Sequence, residues 1–485
     1  MTGPRLPSFL LFSKASTLSL TTFVPEVLPI PRRIVVVGGG AAGTTAAIEA
    51  RKTDRSAEVF LVTRESTSEY SRCGLPYAFS GIVPKLEALI THPVNFYESM
   101  SKVRLLLATE CSELLPQRKM IKITDLSTGT QKQLSYDALV VATGASPTLP
   151  PIRGIDKKGI FTIRTMDDIR NLEEDTKRHG GPVVVIGGGL VGMEMSEALA
   201  DKGFEVTVVE VMPEILPAML DPDMASIVRE RAERMGIRVI CNSTATEVLG
   251  ATRVEGIVTG GQSIRANTIV VAARVKPEVA VWQKAGVRTG EAGGIAVDRR
   301  MLTNIADIYA CGDCVETECA ITGRQLLLQL ATTAVRQAVV AGTNAAGGSE
   351  TYFPSTGVST TRLFGLQVAS AGLTTDTSNR LGLMPVSSRV SASTRLPYMP
   401  GSKEITVKLL CGLQDRRLVG AQIVGEENAA WRANFAALAM NMRLTVHEFG
   451  RKETCYAPPV SPVWDPLTLA ARALERKLEV VTRAA

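Results

Sequence analysis

The chain has 485 residues, 45% of them hydrophobic and 21% charged. This is globular composition, long enough for about three domains, and it excludes a disordered or fibrous protein. The 54 basic and 48 acidic residues leave a net charge of +6 spread along the chain, which argues against a nucleic-acid-binding surface. Three scattered histidines argue against a His-rich metal site, and eight cysteines are too few for a disulfide scaffold. No run of about 18 apolar residues reads as a membrane span. The cysteine usage reads as that of a reducing compartment, so the expected location is cytoplasmic.

Residues 1–30 are Ser/Thr/Pro-rich, carry Arg5 and Lys14, and hold Glu26 as their one acid. They read as an N-terminal extension, either a disordered tail or a transit peptide. The first ordered elements expected are a strand at Ile34–Val37, the glycine turn GGGAAG at 38–43, and a helix through Lys52. The same succession returns 149 residues later: strand Val183–Ile186, turn GGGLVG at 187–192, helix to Lys202. One such turn is weak evidence, but two, each after a β-branched strand and each opening a helix, are strong. Gly38 and Gly187 permit the tight turn, Gly40 and Gly189 let a pyrophosphate approach the backbone, and Gly43 and Gly192 let the helix pack close. The helix openings at Ala41 and Ala42, and at Leu190 and Val191, offer free N–H groups to phosphate.

Each unit should close its second strand with an acid for the ribose hydroxyls. Glu210 follows the strand Val206–Val209, where a carboxylate repels a 2′-phosphate and favours NADH over NADPH. In the first unit the acid is displaced to Glu65, after the strand Val59–Val62. Two dinucleotide sites in one chain imply FAD paired with a nicotinamide, with hydride passing between them.

Cys73 stands in the run Tyr70–Tyr77, where Pro76 suits the first turn of a helix. A helix N-terminus and Arg72 would both favour its thiolate, and a thiolate beside a flavin is a redox nucleophile. Cys311, Cys314 and Cys319 have metal-like spacing but no fourth thiolate near them in sequence, and no metal is expected.

From about Arg32 to Arg472 the chain resembles the FAD-dependent pyridine nucleotide–disulfide oxidoreductases. It is most similar to their single-cysteine branch of coenzyme A-disulfide reductases, NADH oxidases and persulfide reductases. The motifs that carry the resemblance are GGGAAG, SRCGLPY (71–77), ATG (142–144), GGGLVGME (187–194), YACGD (309–313) and YAPP (456–459). The resemblance implies an α/β fold with two Rossmann-like domains and a C-terminal α+β dimerisation domain. FAD-binding segments at 31–150 and 270–345 would flank an NAD(P)-binding segment at 151–269, with dimerisation at 351–485. It implies that Gly312 and Asp313 meet the FAD ribitol, that Thr143 and Gly144 mark the crossing to the NAD domain, and that Glu194 matches a family glutamate. It also implies a homodimer in which Tyr456, with Tyr398 from LPYMPG (396–401), acts on the departing thiolate of the partner's site.

The departures narrow the reading. Two-cysteine reductases carry a second cysteine where this chain has Ala78, and a His–Glu pair near the C-terminus that it lacks. Oxidases and peroxidases of the family usually carry a histidine in the first glycine turn, occupied here by Ala41 and Ala42. Members that grip coenzyme A commonly have Ser and Asn where this chain has Glu69 and Arg72. The expected enzyme passes hydride from NADH through flavin to Cys73, which reduces a low-molecular-weight disulfide or persulfide. The alternatives are an oxidase using O₂ and an electron-entry subunit serving a protein acceptor.

Overall fold

The first glycine turn sits at the centre of a five-stranded parallel sheet. In the computed structural model, which describes residues 31–484, β1 (Arg33–Val37) lies between β2 (Glu58–Val62) and the strand Ala138–Val141. β3 (Val103–Leu106) and the late strand Ile308–Ala310 complete its edges. Ile34, Val35 and Val36 are fully buried, as a parallel strand covered on both faces must be. Helix α1 (Ala41–Thr53) packs on helix Ala331–Ala345 through small residues. A Cβ on Gly342 would overlap the Ala46 carbonyl, so only glycine lets the two backbones approach this closely. The expectations for residues 1–30 lie outside the described residues.

The second glycine turn is built the same way. The strand Val183–Ile186 pairs in parallel with Val206–Val209 on one side and Thr268–Val271 on the other. Arg238–Ile240 and Ile160–Thr162 form the edges. Helices α3 (Met166–His179) and α4 (Leu190–Asp201) connect strands of this sheet, and α2 (Leu75–Ser80), from the first unit, packs against α4. Every strand of this second sheet comes from residues 160–271, between two neighbouring strands of the first sheet. The outgoing strand Ala145–Pro147 and the returning strand Val275–Pro277 pair antiparallel. Thr143 Oγ1 donates to the Glu278 carbonyl at 2.7 Å and accepts from Trp282 Nε1 at 3.2 Å, bolting the crossing together.

A third, antiparallel sheet has the order 358–363, 366–372, 418–425, 404–412, 385–393. Its strands Glu404–Gly412 and Leu418–Gly425 lead into the helix Ala429–Asn441. One face is covered by that helix and by Pro466–Ala484. On the side of the second unit, Lys408, almost sealed from solvent, reaches Asp221 at 2.9 Å and Asp223 at 2.6 Å. Helix 429–441 leaves Trp431, Phe435, Leu438 and Met442 exposed at helical spacing, an apolar stripe of the kind that marks an interface.

The Pro-rich run that precedes the last helix is anchored by one buried ion pair. Arg432 Nε and Nη2 donate to Asp465 Oδ2 at 3.1 and 2.8 Å, and Asp465 Oδ1 also accepts from the Leu467 N–H. Removing one partner strands a buried charge, so Asp465→Ala should cost about 3–5 kcal/mol. The loss should appear as a lower urea midpoint by fluorescence of Trp431 and Trp464, which lie in the same domain. An unchanged midpoint would show that the pair does not hold this segment.

Candidate active site

The two glycine turns have matching physical constraints. Gly38 and Gly187 have φ of +122° and +105°, and a Cβ on Gly43 or Gly192 would overlap the carbonyl oxygen of Gly38 or Gly187. Helix and strand therefore meet with no side chain between them. Gly40 and Gly189, the N-cap residues of α1 and α4, supply no side-chain cap. The N–H groups at the start of each helix are left to an incoming acceptor. A Cβ on Gly189 would meet nothing within 4 Å, so the space above the second turn is open.

At the first turn, the place a Gly40 Cβ would occupy lies 2.7 Å from Arg72 Nη1. Arg72 Nη2 donates to Glu65 Oε1 at 3.0 Å, the guanidinium lies 5.2 Å from the Tyr70 ring centroid, and Nε is buried without a partner. The Tyr70 hydroxyl donates to Glu65 at 3.3 Å, and burial pushes that phenol up to about 12. A guanidinium with an unpartnered nitrogen beside an uncapped helix start fits a pyrophosphate, so the residues present fit FAD at the first turn. At the second, Glu210 is 5% exposed and accepts from the Gly188 N–H at 2.5 Å and the Met212 N–H at 2.8 Å. This fixes the carboxylate at the strand end beside the open turn, where it fits a ribose.

Cys73 is exposed and unpaired, in a short turn (Arg72–Gly74) that leads into α2. The expected low-pKa thiolate is not what its surroundings favour. Enclosure by neighbouring protein, then the Glu194 and Asp313 carboxylates, push the thiol up, and Arg164 opposes them. Because the residue remains exposed, solvent screens part of each contribution. A six-residue helix offers too little dipole to offset two carboxylates. The expected help from Arg72 is also corrected, because that side chain is engaged by Glu65 and Tyr70.

Glu194, on α4, accepts from Thr361 Oγ1 of the antiparallel sheet at 2.7 Å, and burial holds its carboxyl above the ordinary range. Asp313 pairs with Arg164 at 3.1 Å, and the preceding Gly312 N–H donates to Gln337. Arg164 was not singled out in the sequence. Its one local signal is the capping box after it, in which Asp168 accepts from the N–H groups of Arg164 and Thr165. Glu194, Asp313 and Arg164 thus act on Cys73 from both glycine-turn units, with Thr361 bracing Glu194.

Tyr398 and Tyr456 are 71% and 50% exposed. Among the described residues, no hydrogen bond joins either hydroxyl to the Cys73 cluster. Cys311, Cys314 and Cys319 are buried free thiols, and burial holds Cys311 well above the usual thiol range. No group of three or more His, Cys, Asp or Glu among the described residues is arranged to hold a metal.

Comparison with known proteins identifies the family. Residues 32–338 match the family model for pyridine nucleotide-disulphide oxidoreductases, and 358–466 match that family's dimerisation domain. The chain is 36% identical over 447 residues to a protein named NADH oxidase from Methanocaldococcus jannaschii, covering 92% of this chain and 99% of that one. It is 32% identical over 452 residues to a CoA-dependent NAD(P)H sulfur oxidoreductase from Pyrococcus abyssi, covering 93% and 100%. Among solved structures, a NAD-dependent persulfide reductase from A. fulgidus superposes with a TM-score of 0.90 at 33% identity, over 93% of this chain and 84% of that one. The chain belongs to the pyridine nucleotide-disulphide oxidoreductase family, and its cofactors are FAD and NADH.

Proposed function

We propose that this oxidoreductase uses Cys73 as its single redox-active thiol to reduce a low-molecular-weight disulfide or persulfide, with NADH as the electron source. The observation that carries the reading is an exposed, unpaired Cys73 beside carboxylates of both glycine-turn units, with Ala78 where a second cysteine would stand. When bound, FAD and NADH supply the two-electron relay that returns an oxidised sulfur to thiolate. The chain's own residues do the rest. The turns at Gly38–Gly43 and Gly187–Gly192, with Arg72 at the first and Glu210 at the second, hold the two dinucleotides. Glu65 positions Arg72, while Gly312 and Asp313, with Thr143 and Gly144, complete the first site.

Cys73 Sγ, as thiolate, attacks one sulfur of the substrate disulfide. A Cys73–substrate disulfide forms, the substrate S–S bond breaks, and one thiolate leaves with the bonding pair. Tyr456, assisted by Tyr398, is positioned on a second copy to donate a proton or hydrogen bond to that thiolate. The match to a dimerisation domain, the two exposed phenols and the apolar stripe at Trp431–Met442 support a homodimer. The sheet memberships support a first FAD segment at 31–150 and a dimerisation segment at 351–485, and carry the nicotinamide segment past the expected 269 to Val271, so that the second FAD segment begins after the strand Thr268–Val271 rather than at 270. A cytoplasmic location fits the free cysteines, and no described helix is long and apolar enough to cross a membrane.

A second reading, oxidase chemistry, is favoured by the name of the Methanocaldococcus relative. The FAD-loaded protein reduced by NADH in a stopped-flow cell should be reoxidised fastest by coenzyme A disulfide or polysulfide. Cys73→Ser should keep the NADH step and lose thiol production. Faster reoxidation by O₂ that survives Cys73→Ser would establish the oxidase instead, and transfer only to an added protein acceptor would point to an electron-entry role.

The acid–base reading gives a pH dependence. A thiol held above its ordinary range carries less thiolate at neutral pH, so iodoacetamide alkylation of Cys73 should accelerate as pH rises into the alkaline range. Glu194→Gln removes a nearby negative charge and should move that rise to lower pH. Peptide mass analysis separates Cys73 from the exposed Cys455, and an unmoved or upward-shifted profile would remove Glu194 from the account.

Mixed dimers test the assembly. Cys73→Ser chains co-expressed with Tyr456→Phe chains should give one intact site per heterodimer, while losing this general acid should slow each Tyr456→Phe site about 10²-fold. Differently tagged heterodimers that make thiol no faster than either parent would place Tyr456 outside the partner's site.

A further inference from the structure

The second glycine-turn unit holds an arginine that its neighbours keep neutralised. The Glu210 N–H donates to the Ile240 carbonyl at 2.9 Å, and the Glu210 carbonyl accepts from the Ser243 N–H at 3.0 Å. Cys241 lies between those two attachments, so it sits against the residue expected to meet the adenosine ribose. Its Sγ reaches Glu214 Oε1 at 3.8 Å. Glu214 is 8% exposed and receives Arg229 Nε on both carboxylate oxygens at 3.0 Å. Arg229 Nη1 donates to Glu233, one turn further along the same helix, at 3.1 Å. The Arg229 side chain keeps 32% of its surface exposed, so it is restrained rather than sealed.

Hydride transfer does not require this pair, and burying a carboxylate against a guanidinium carries a desolvation cost. Dinucleotide choice gives it a use. A ribose 2′-hydroxyl needs an acceptor, whereas a 2′-phosphate needs a cation, best a guanidinium. The chain links a guanidinium, through Glu214 and Cys241, to the strand end that carries its ribose acid, and neutralises it with two carboxylates. We propose that Glu214 is a specificity-determining positioning residue that withholds Arg229 from a 2′-phosphate. NADH is then selected twice, by repulsion at Glu210 and by sequestration of Arg229. The proposal deepens the assignment of NADH to the second glycine turn and rests on it. Its distinctive consequence is that removing Glu210 alone leaves the 2′-phosphate without a cation.

Calorimetric titration of the FAD-loaded protein with ADP-ribose and with 2′-phospho-ADP-ribose tests this, read as the ratio of the two dissociation constants. Adding Glu214→Gln to Glu210→Ala should shift the ratio toward the 2′-phosphate by about tenfold or more, the scale of one charge-assisted hydrogen bond. Adding Arg229→Met should cancel that gain, and Glu214→Asp, which keeps the charge, should produce none. Melting curves show that each variant is folded. A ratio indifferent to Glu214→Gln, or a gain that survives the loss of Arg229, overturns the proposal while ADP-ribose binding stands. Failure of the wild-type protein to bind ADP-ribose overturns both the proposal and the reading of the second turn.

Discussion

At two places in this chain, 149 residues apart, no side chain fits between a helix and the strand that feeds it. Gly43 lies against Gly38 and Gly192 against Gly187, and that contact makes each helix begin at the end of its sheet's central strand with its first N–H groups unpaired. The surrounding core adapts to the same close spacing. α1 meets helix 331–345 through Ala46 and Gly342, while four-residue strands of Val, Ile and Thr form the middle of the second sheet. The chemistry of the protein follows from two copies of a backbone shape.

The antiparallel sheet does more than offer an interface. Thr361 holds the Glu194 carboxylate, and the Phe364 N–H holds Glu197 on the same helix at 2.7 Å. Lys408 ties the sheet to Asp221 and Asp223, and against the pull of burial, hydrogen bonds from Thr375 and then Lys408 lower the Asp221 carboxyl. The charges around Cys73 are thereby set by residues from three separate stretches of chain.

The parts of the site that depend on backbone shape were legible in the sequence. A glycine that must adopt positive φ, or admit a carbonyl where its Cβ would be, leaves a fixed spacing. Glu210, at a strand end, was legible for the same reason. Side-chain direction was not. Arg72 precedes Cys73 in sequence yet turns to Glu65 and Tyr70, because neighbouring residues in a tight turn point to different sides. The thiol's environment was also hidden, since Glu194 and Asp313 lie 121 and 240 residues beyond it and only folding brings them near. Arg164 stands beside a helix cap rather than in a functional motif. Its place follows from the strand 160–162 before it and the capping box after it, both structural signals.

The crossing between the first and second sheets has a mechanical meaning. Ser146 and Lys276, where the chain leaves for the second sheet and returns from it, are direct cross-strand partners. The whole intervening stretch is therefore a closed side loop whose two ends leave through one narrow ribbon. Side-chain contacts then tie this loop down elsewhere: Glu194 to Thr361, Glu197 to Phe364, Asp221 to Lys408 and Arg164 to Asp313. Exchanging the stretch for that of a relative therefore takes two splices made side by side in space, and a donor that keeps partners for Thr361, Phe364, Lys408 and Asp313.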